Sequence, residues 1–227
     1  MSARAPADLL VQGLRELGLG LGESAFRQLL VYADEVARWT RRVSLTGFKE
    51  PERIIRDGIL RSLRLLPLLP ERDRARLADV GSGAGFPGIP LKIARPGLDV
   101  TLIEASRRKA SFLLHAIRLL GLEGISCLRV RVEALGEKSG ILGSFDAVTA
   151  RALAPLPEAV ALLTPLLAHG GILIVPQGKR PWSHDIPAGL RAKLIELIEL
   201  KATSLFPPET VAILRRADVS RETFPSS

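Results

Sequence analysis

Apolar positions follow two rhythms along the chain, and the change between them divides it. Up to about residue 69 the spacing is helical. Leu9, Leu10, Leu14 and Leu17 share one face, with Arg15 and Glu16 elsewhere. The run Gly18-Leu-Gly-Leu-Gly22 interrupts this first helix within the stretch Asp8 to Arg42. A second then carries Phe26, Leu29, Leu30, Ala33, Val36 and Ala37 on one side. It ends in Arg38-Trp-Thr-Arg-Arg42, where the indole reads as an anchor of the helix end on a core rather than a platform for a base. A third amphipathic helix, Glu52 to Leu69, groups Ile55, Ile59, Leu63 and Leu66 opposite Arg53, Arg56, Arg61 and Arg64. Such a basic face is ordinarily solvated surface, and it also suits a strip that positions phosphates.

From Leu77 the rhythm shortens. Short β-branched runs alternate with helical ones: a strand at Leu77 to Val80, a helix at Ile89 to Ala94, a strand at Asp99 to Glu104, and a helix at Ser106 to Leu120 capped by Ser106 and stopped by Gly121. Strands at Ile125 to Val130 and Phe145 to Thr149 follow, then a helix at Leu156 to Ala168 and a strand at Ile172 to Val175. Leu190 to Leu200 reads as a helix, and Thr203 to Phe206 and Val211 to Arg215 as closing strands. This alternation predicts an α/β fold with a mostly parallel sheet covered on both faces. The expected organisation is a basic helical extension over residues 1–76, a core over 77–219 and a polar tail over 220–227.

Three glycines two residues apart, Gly81, Gly83 and Gly85, interrupt the pattern between the first strand and its helix. Glycine permits positive φ and close approach of a ligand to the main chain, and the following helix offers free N–H groups. Counted from Gly81, the dinucleotide spacing G-x-G-x-x-G fails at Phe86. Counted from Gly83 it is met by Gly85 and Gly88, so a nicotinamide cofactor stays open. Pro87 and Pro90, which shape an unusual start to the helix, argue against it.

Composition narrows the class. With 227 residues, 47% of them hydrophobic, the chain can bury a substantial core. No apolar run reaches the ~20 residues that span a bilayer, and no secretory leader is visible at the N-terminus. A single cysteine, Cys127, leaves no internal disulfide and fits a reducing cytoplasm. The net charge of +8 favours an acidic partner, nucleic acid first, although arginine-rich codon usage accounts for it equally well.

In a parallel sheet, ligands collect at the carboxyl ends of the strands. Four positions there are informative: the Gly81–Gly85 turn, Glu104, Arg131-Val132-Glu133 and Arg151. A carboxylate at the end of the second strand, as Glu104 would be, suits both hydroxyls of a ribose, whether in NAD or in S-adenosylmethionine. The stretch DVGSGAGFPGIPL (Asp79 to Leu91) resembles the cofactor motif of the bacterial 16S rRNA guanine-N7 methyltransferases, the family also called glucose-inhibited division protein B. EASRRKASFL from Glu104, RVEAL from Arg131, FDAVTARALAPL from Phe145, GGILIVPQGK from Gly170 and RWTRRVSLTG from Arg38 extend the likeness over roughly residues 8 to 216.

The resemblance implies a class I, Rossmann-like methyltransferase sheet that binds S-adenosylmethionine. By position it implies cofactor contacts from Gly81, Gly83, Gly85 and Phe86, ribose and adenosine contacts from Glu104, Ala105 and Ser106, and an adenine frame from Val132 and Glu133. Arg151 would stand at the methionine and substrate end, as the residue closest to the chemistry. Guanine N7 has a lone pair and no proton, so transfer needs alignment rather than a general base. The implied partner is 16S rRNA or the 30S subunit, met in the cytoplasm by a monomer, with no membrane and no metal. His115, His169 and His184 show no ligand spacing with Cys127.

Five positions depart from the family pattern. Ser44 replaces an Asn, Gly58 a His, Arg61 an Asp, Gln177 a Lys and Glu209 an Arg. All five lie outside the implied cofactor contacts and bear on the RNA site or its target position. A relative that binds cofactor or ribosome without methylating is the alternative, and an NAD-dependent oxidoreductase the third reading.

Overall fold

A computed structural model of the chain describes residues 5–136, 140–151, 155–176 and 192–216. Two helices open it, α1 (Pro6–Glu16) and α2 (Glu23–Thr40), divided at the glycine-rich break. The third helical stretch is composite. It runs from α3 (Pro51–Arg53) through a wide π-helical segment, Ile54–Leu60, into α4 (Arg61–Leu63). Its basic side is not a free strip. Arg64 is 5% exposed, and Arg61 is engaged by Glu209.

Seven strands form one sheet in the order β3-β2-β1-β4-β5-β7-β6. They are β1 (Arg76–Val80), β2 (Asp99–Ile103), β3 (Ile125–Leu128), β4 (Phe145–Ala150), β5 (Leu167–Pro176), β6 (Ala192–Leu200) and β7 (Glu209–Arg216). β1 to β5 run parallel, and β7 is antiparallel to both β5 and β6. The helices between the strands are α5 (Gly88–Ala94), α6 (Arg107–Leu119) and α7 (Leu156–Leu163).

Side chains alternate across the sheet with the strand period of two. Leu77, Leu102, Ile172 and Ile174 face one core, which also takes Leu10, Leu29, Tyr32 and Val36 from α1 and α2 and Phe112 from α6. Ala78, Val80, Val148, Leu173 and Val175 face the other, under Val160 and Leu163 of α7. The N-terminal helices therefore share one continuous core with the sheet. Trp39 packs there as well, its ring 5.4 Å from Phe112 and 5.3 Å from His115.

Three expectations are corrected. The stretch read as a helix from Leu190 is the strand β6 from Ala192 to Leu200; the two residues before Ala192 lie outside the described residues. Its sequence pairs apolar residues at helical spacing, yet pairing along the whole of β7 outweighs that local preference. Thr203 to Phe206 is a turn, closed by the Thr203 N–H donating to the Phe206 carbonyl at 2.9 Å and by N–H groups of Leu205 and Phe206 donating to Thr203 Oγ1. The helix begun at Leu156 stops at Leu163, just before Pro165, and β5 starts at Leu167. The expected tail over 220–227 lies outside the described residues.

Candidate cofactor site

Strand register brings the predicted positions together. Val80 of β1 stands opposite Ile103 of β2 and Ala150 of β4, while Ile103 stands opposite Leu128 of β3. The next residues, Gly81, Glu104 and Arg151, therefore leave the sheet at one edge. The turn of Val132 and Glu133 follows four residues beyond β3, with Val132 buried and Glu133 exposed.

The glycine turn is built on positive φ at Gly81 (71°), Gly83 (58°) and Gly85 (90°), a region closed to most side chains. Gly81 N–H donates to the Ile103 carbonyl at 2.8 Å, and Ser82 Oγ donates to the Asp79 carbonyl at 2.7 Å. At Gly85 a Cβ would also lie 2.5 Å from Ile89 and 2.9 Å from Tyr32 Oη. Behind the turn, the buried Tyr32 of α2 donates its hydroxyl to the Ala84 carbonyl. Phe86, joined to Pro87 by a cis peptide, is 7% exposed and packs edge-on to Tyr32 at 5.5 Å. Its ring shapes the turn from behind.

Glu104 ties the turn to the sheet. Its Oε2 accepts from Gly83 N–H and its Oε1 from Ser106 N–H, both at 2.8 Å. Each oxygen keeps a lone pair, which suits paired ribose hydroxyls. Ala105 is exposed beside it, and half-buried Ser106 caps α6 by accepting from Lys109 N–H at 3.5 Å.

Arg151 reaches the other way. Its Nη2 donates to the Asp57 carbonyl at 3.0 Å and its Nη1 to Ser62 Oγ at 3.4 Å, so the helix 54–63 holds it. Burial, and then the charge of Arg61, draws its pKa below the ordinary arginine value.

One residue absent from the predicted set lies within electrostatic reach of both Glu104 and Arg151. Asp79 is fully buried. Its Oδ2 accepts from Gly88 N–H at 3.0 Å, while Oδ1 has no partner. Burial is the largest cause that lifts its pKa to about 7; Gly88 N–H and Arg151 oppose it. A buried carboxylate oxygen without a donor is costly unless a donor arrives with a ligand. Beside a turn of main-chain N–H groups and a ribose-competent Glu104, it fits a nucleoside carrying positive charge, as S-adenosylmethionine does. The sequence signal was a single acid inside the apolar strand Leu77 to Val80. Tyr32 and Ser62 carried no local signal, because only tertiary packing brings α2 and α4 to the turn.

Among the described residues, no group of three or more His, Cys, Asp or Glu side chains could hold a metal ion. Nor is any described helix long and apolar enough to cross a membrane. His184 and Gln177 lie outside the described residues.

A family model described as rRNA small subunit methyltransferase G (GidB) matches residues 25–194. The chain belongs to that family. The curated methyltransferase G of Chloroflexus aggregans is 40% identical over 188 residues, covering 81% of this chain and 76% of the relative. That of Nitrosospira multiformis is 35% identical over 221 residues, covering 93% and 98%. Among solved structures, a SAM dependent methyltransferase from Aquifex aeolicus superposes with a TM-score of 0.57 at 12% identity, covering 82% of this chain and 98% of that one. At that identity the likeness speaks for the fold, a Rossmann-like methyltransferase sheet.

Set against the methyltransferase G pattern, the departures fall into place unevenly. Ser44 is exposed. At Gly58 a Cβ would lie 2.5 Å from Phe86 Cζ, so the Phe86 ring fills the room that a side chain there would need. Arg61 and Glu209 are partners, joined Nη2 to Oε1 at 2.9 Å. Two of the positions read as departures are therefore one ion pair.

Proposed function

We propose that the chain transfers a methyl group from S-adenosylmethionine to N7 of a guanine in 16S rRNA. The single observation that carries the cofactor assignment is the unpartnered Asp79 oxygen beside a glycine turn that Glu104 braces. Bound there, S-adenosylmethionine supplies an electrophilic methyl group on a sulfonium centre. The main chain from Gly81 to Gly85 and the Glu104 carboxylate hold the nucleoside part. Ala105, Ser106, Val132 and Glu133 frame its base. Asp79 offers negative charge to the cationic end. Arg151, fixed by Asp57 and Ser62, presents the rest of its guanidinium toward a carboxylate or an RNA phosphate.

The chain needs to supply little acid–base chemistry. Guanine N7 attacks through a lone pair, so its residues act by excluding water and aligning the two partners. The substrate in this reading is the small-subunit RNA or the assembled particle, encountered in the cytoplasm. A thermal-shift comparison tests the cofactor assignment. S-adenosylmethionine at ~100 times its Kd should stabilise the protein by about 2.7 kcal/mol of linkage, and NAD should not. Stabilisation by NAD alone would overturn the assignment.

A further inference from the structure

Outside the cofactor turn, the helix 51–63 and the segment before β7 enclose a cavity of about 520 Å³. Phe48 and four arginines of the helix, Arg53, Arg56, Arg61 and Arg64, line it together with Phe206. Two of the arginines are already committed. Arg61 and Arg64 both hold Glu209, and Arg64 also donates to the carbonyls of Leu200 and Lys201. The other two share one carboxylate and keep donors to spare. Arg53 gives its Nε to Asp57 at 3.1 Å, and Arg56 gives its Nε and Nη2 at 2.9 and 3.1 Å. Both Nη groups of Arg53 and the Nη1 of Arg56 have no partner among the described residues. Their side chains are 51% and 41% exposed at the mouth.

Four guanidinium groups against two carboxylates leave an excess of two positive charges in one concave site. The site is also held in shape. The Arg53 guanidinium lies over the Phe48 ring at 5.5 Å, and Asp57 anchors it from below. Phe48 in turn stands 6.3 Å from Phe86 of the cofactor turn. Asp57, which pairs with both exposed arginines, also accepts from Arg151 through its carbonyl at 3.0 Å, so an anion bound here would sit beside the arginine that stands at the substrate end of the candidate site.

We propose that this cavity binds a backbone phosphodiester of the substrate RNA, on the free N–H groups of Arg53 and Arg56, at a nucleotide flanking the target. It rests on the reading of RNA as substrate. A phosphate is the fitting anion because two adjacent arginine forks with free donors match its oxygens. The contact carries no base identity. It fixes register and orientation, and so adds affinity that weakens with salt.

The test is RNA binding by fluorescence anisotropy and methyl transfer from labelled cofactor, both on small-subunit RNA, over a series of salt concentrations. Arg53→Gln with Arg56→Gln should weaken RNA binding at least 10-fold at low salt. It should also reduce the log–log salt slope by about 0.7–0.9, the loss of one neutralised phosphate. Cofactor affinity by calorimetry should stay as in the unsubstituted protein, which also reports folding. Arg53→Lys with Arg56→Lys should restore most of the slope, and Arg27→Gln, on the far surface of α2, should leave it unchanged. An unchanged slope in the Gln pair would overturn the proposal, as would a loss equal to that of Arg27→Gln. RNA binding without methyl transfer by the unsubstituted protein would sink the reaction and leave the slope difference to decide on the cavity. No RNA binding at all would overturn both.

Discussion

Asp79→Asn should stabilise the protein and impair it at once. The native carboxyl titrates near pH 7, against 3.8 for the ordinary group. Between about pH 4 and 7 the folded state thus keeps a proton that the unfolded chain has released, so this site makes folding less favourable as pH rises through that window. At pH 8 the shift corresponds to about 4 kcal/mol held against folding. Three charged or titratable groups act on it: Tyr32, Glu104 and Arg151. Asparagine removes the charge and can still accept from Gly88 N–H. Its amide nitrogen, with two N–H donors, then sits unpaired where Oδ1 has no partner, a cost of about 1–3 kcal/mol for the group. The net expectation at pH 8 is a gain of about 1–3 kcal/mol, shrinking toward zero or reversing as pH falls to 4. Cofactor affinity should move the other way, by about 10- to 100-fold, because a charge-assisted hydrogen bond worth about 1.5–3 kcal/mol is lost. Urea unfolding across pH 4–8 and calorimetric titration with S-adenosylmethionine measure the two effects. A variant less stable than the parent at pH 8, or one with unchanged cofactor affinity, would refute the reasoning.

Arg151→Ala should lower methyl transfer by at least 100-fold, while Cys127→Ala, at the far side of β2, should stay within about 2-fold; equal effects in a turnover assay would misplace the site. Glu209→Gln should cost about 3 kcal/mol in urea unfolding, because Arg64, with a side chain 3% exposed, loses its carboxylate. Arg61→Gln should cost about 1 kcal/mol, since its side chain is 37% exposed and Glu209 keeps Arg64; the opposite ranking would refute the pairing. Gly58→His, which restores the family residue, should cost about 1–3 kcal/mol by crowding Phe86, and a stabilised variant would show that the helix 54–60 yields.

The convergence of the candidate residues at one sheet edge was legible because its parts are local. A strand, alternating glycines and an acid at the next strand end are each written in a few consecutive residues, and parallel register then brings Gly81, Glu104 and Arg151 to one edge. What stayed hidden depends on contacts distant in sequence. Tyr32 bonds Ala84 from 52 residues away, and Arg61 meets Glu209 across 148. Read one at a time, the last two are unrelated departures, and only their contact shows that they form one pair. The basic helix face was legible only in part: helical spacing shows which residues share a side, and tertiary packing decides which of them are covered, as Arg61 and Arg64 are by Glu209. β6 misled because its apolar spacing suits a helix until β7 is there to pair with it.

The most direct measurement is transfer of a labelled methyl group from S-adenosylmethionine to 30S particles and to naked small-subunit RNA, followed by mapping of the modified atom. The expected result is label on N7 of a guanine in 16S rRNA, reduced in step with cofactor affinity by Asp79→Asn. Absence of label on both substrates, or label on another atom, would contradict it.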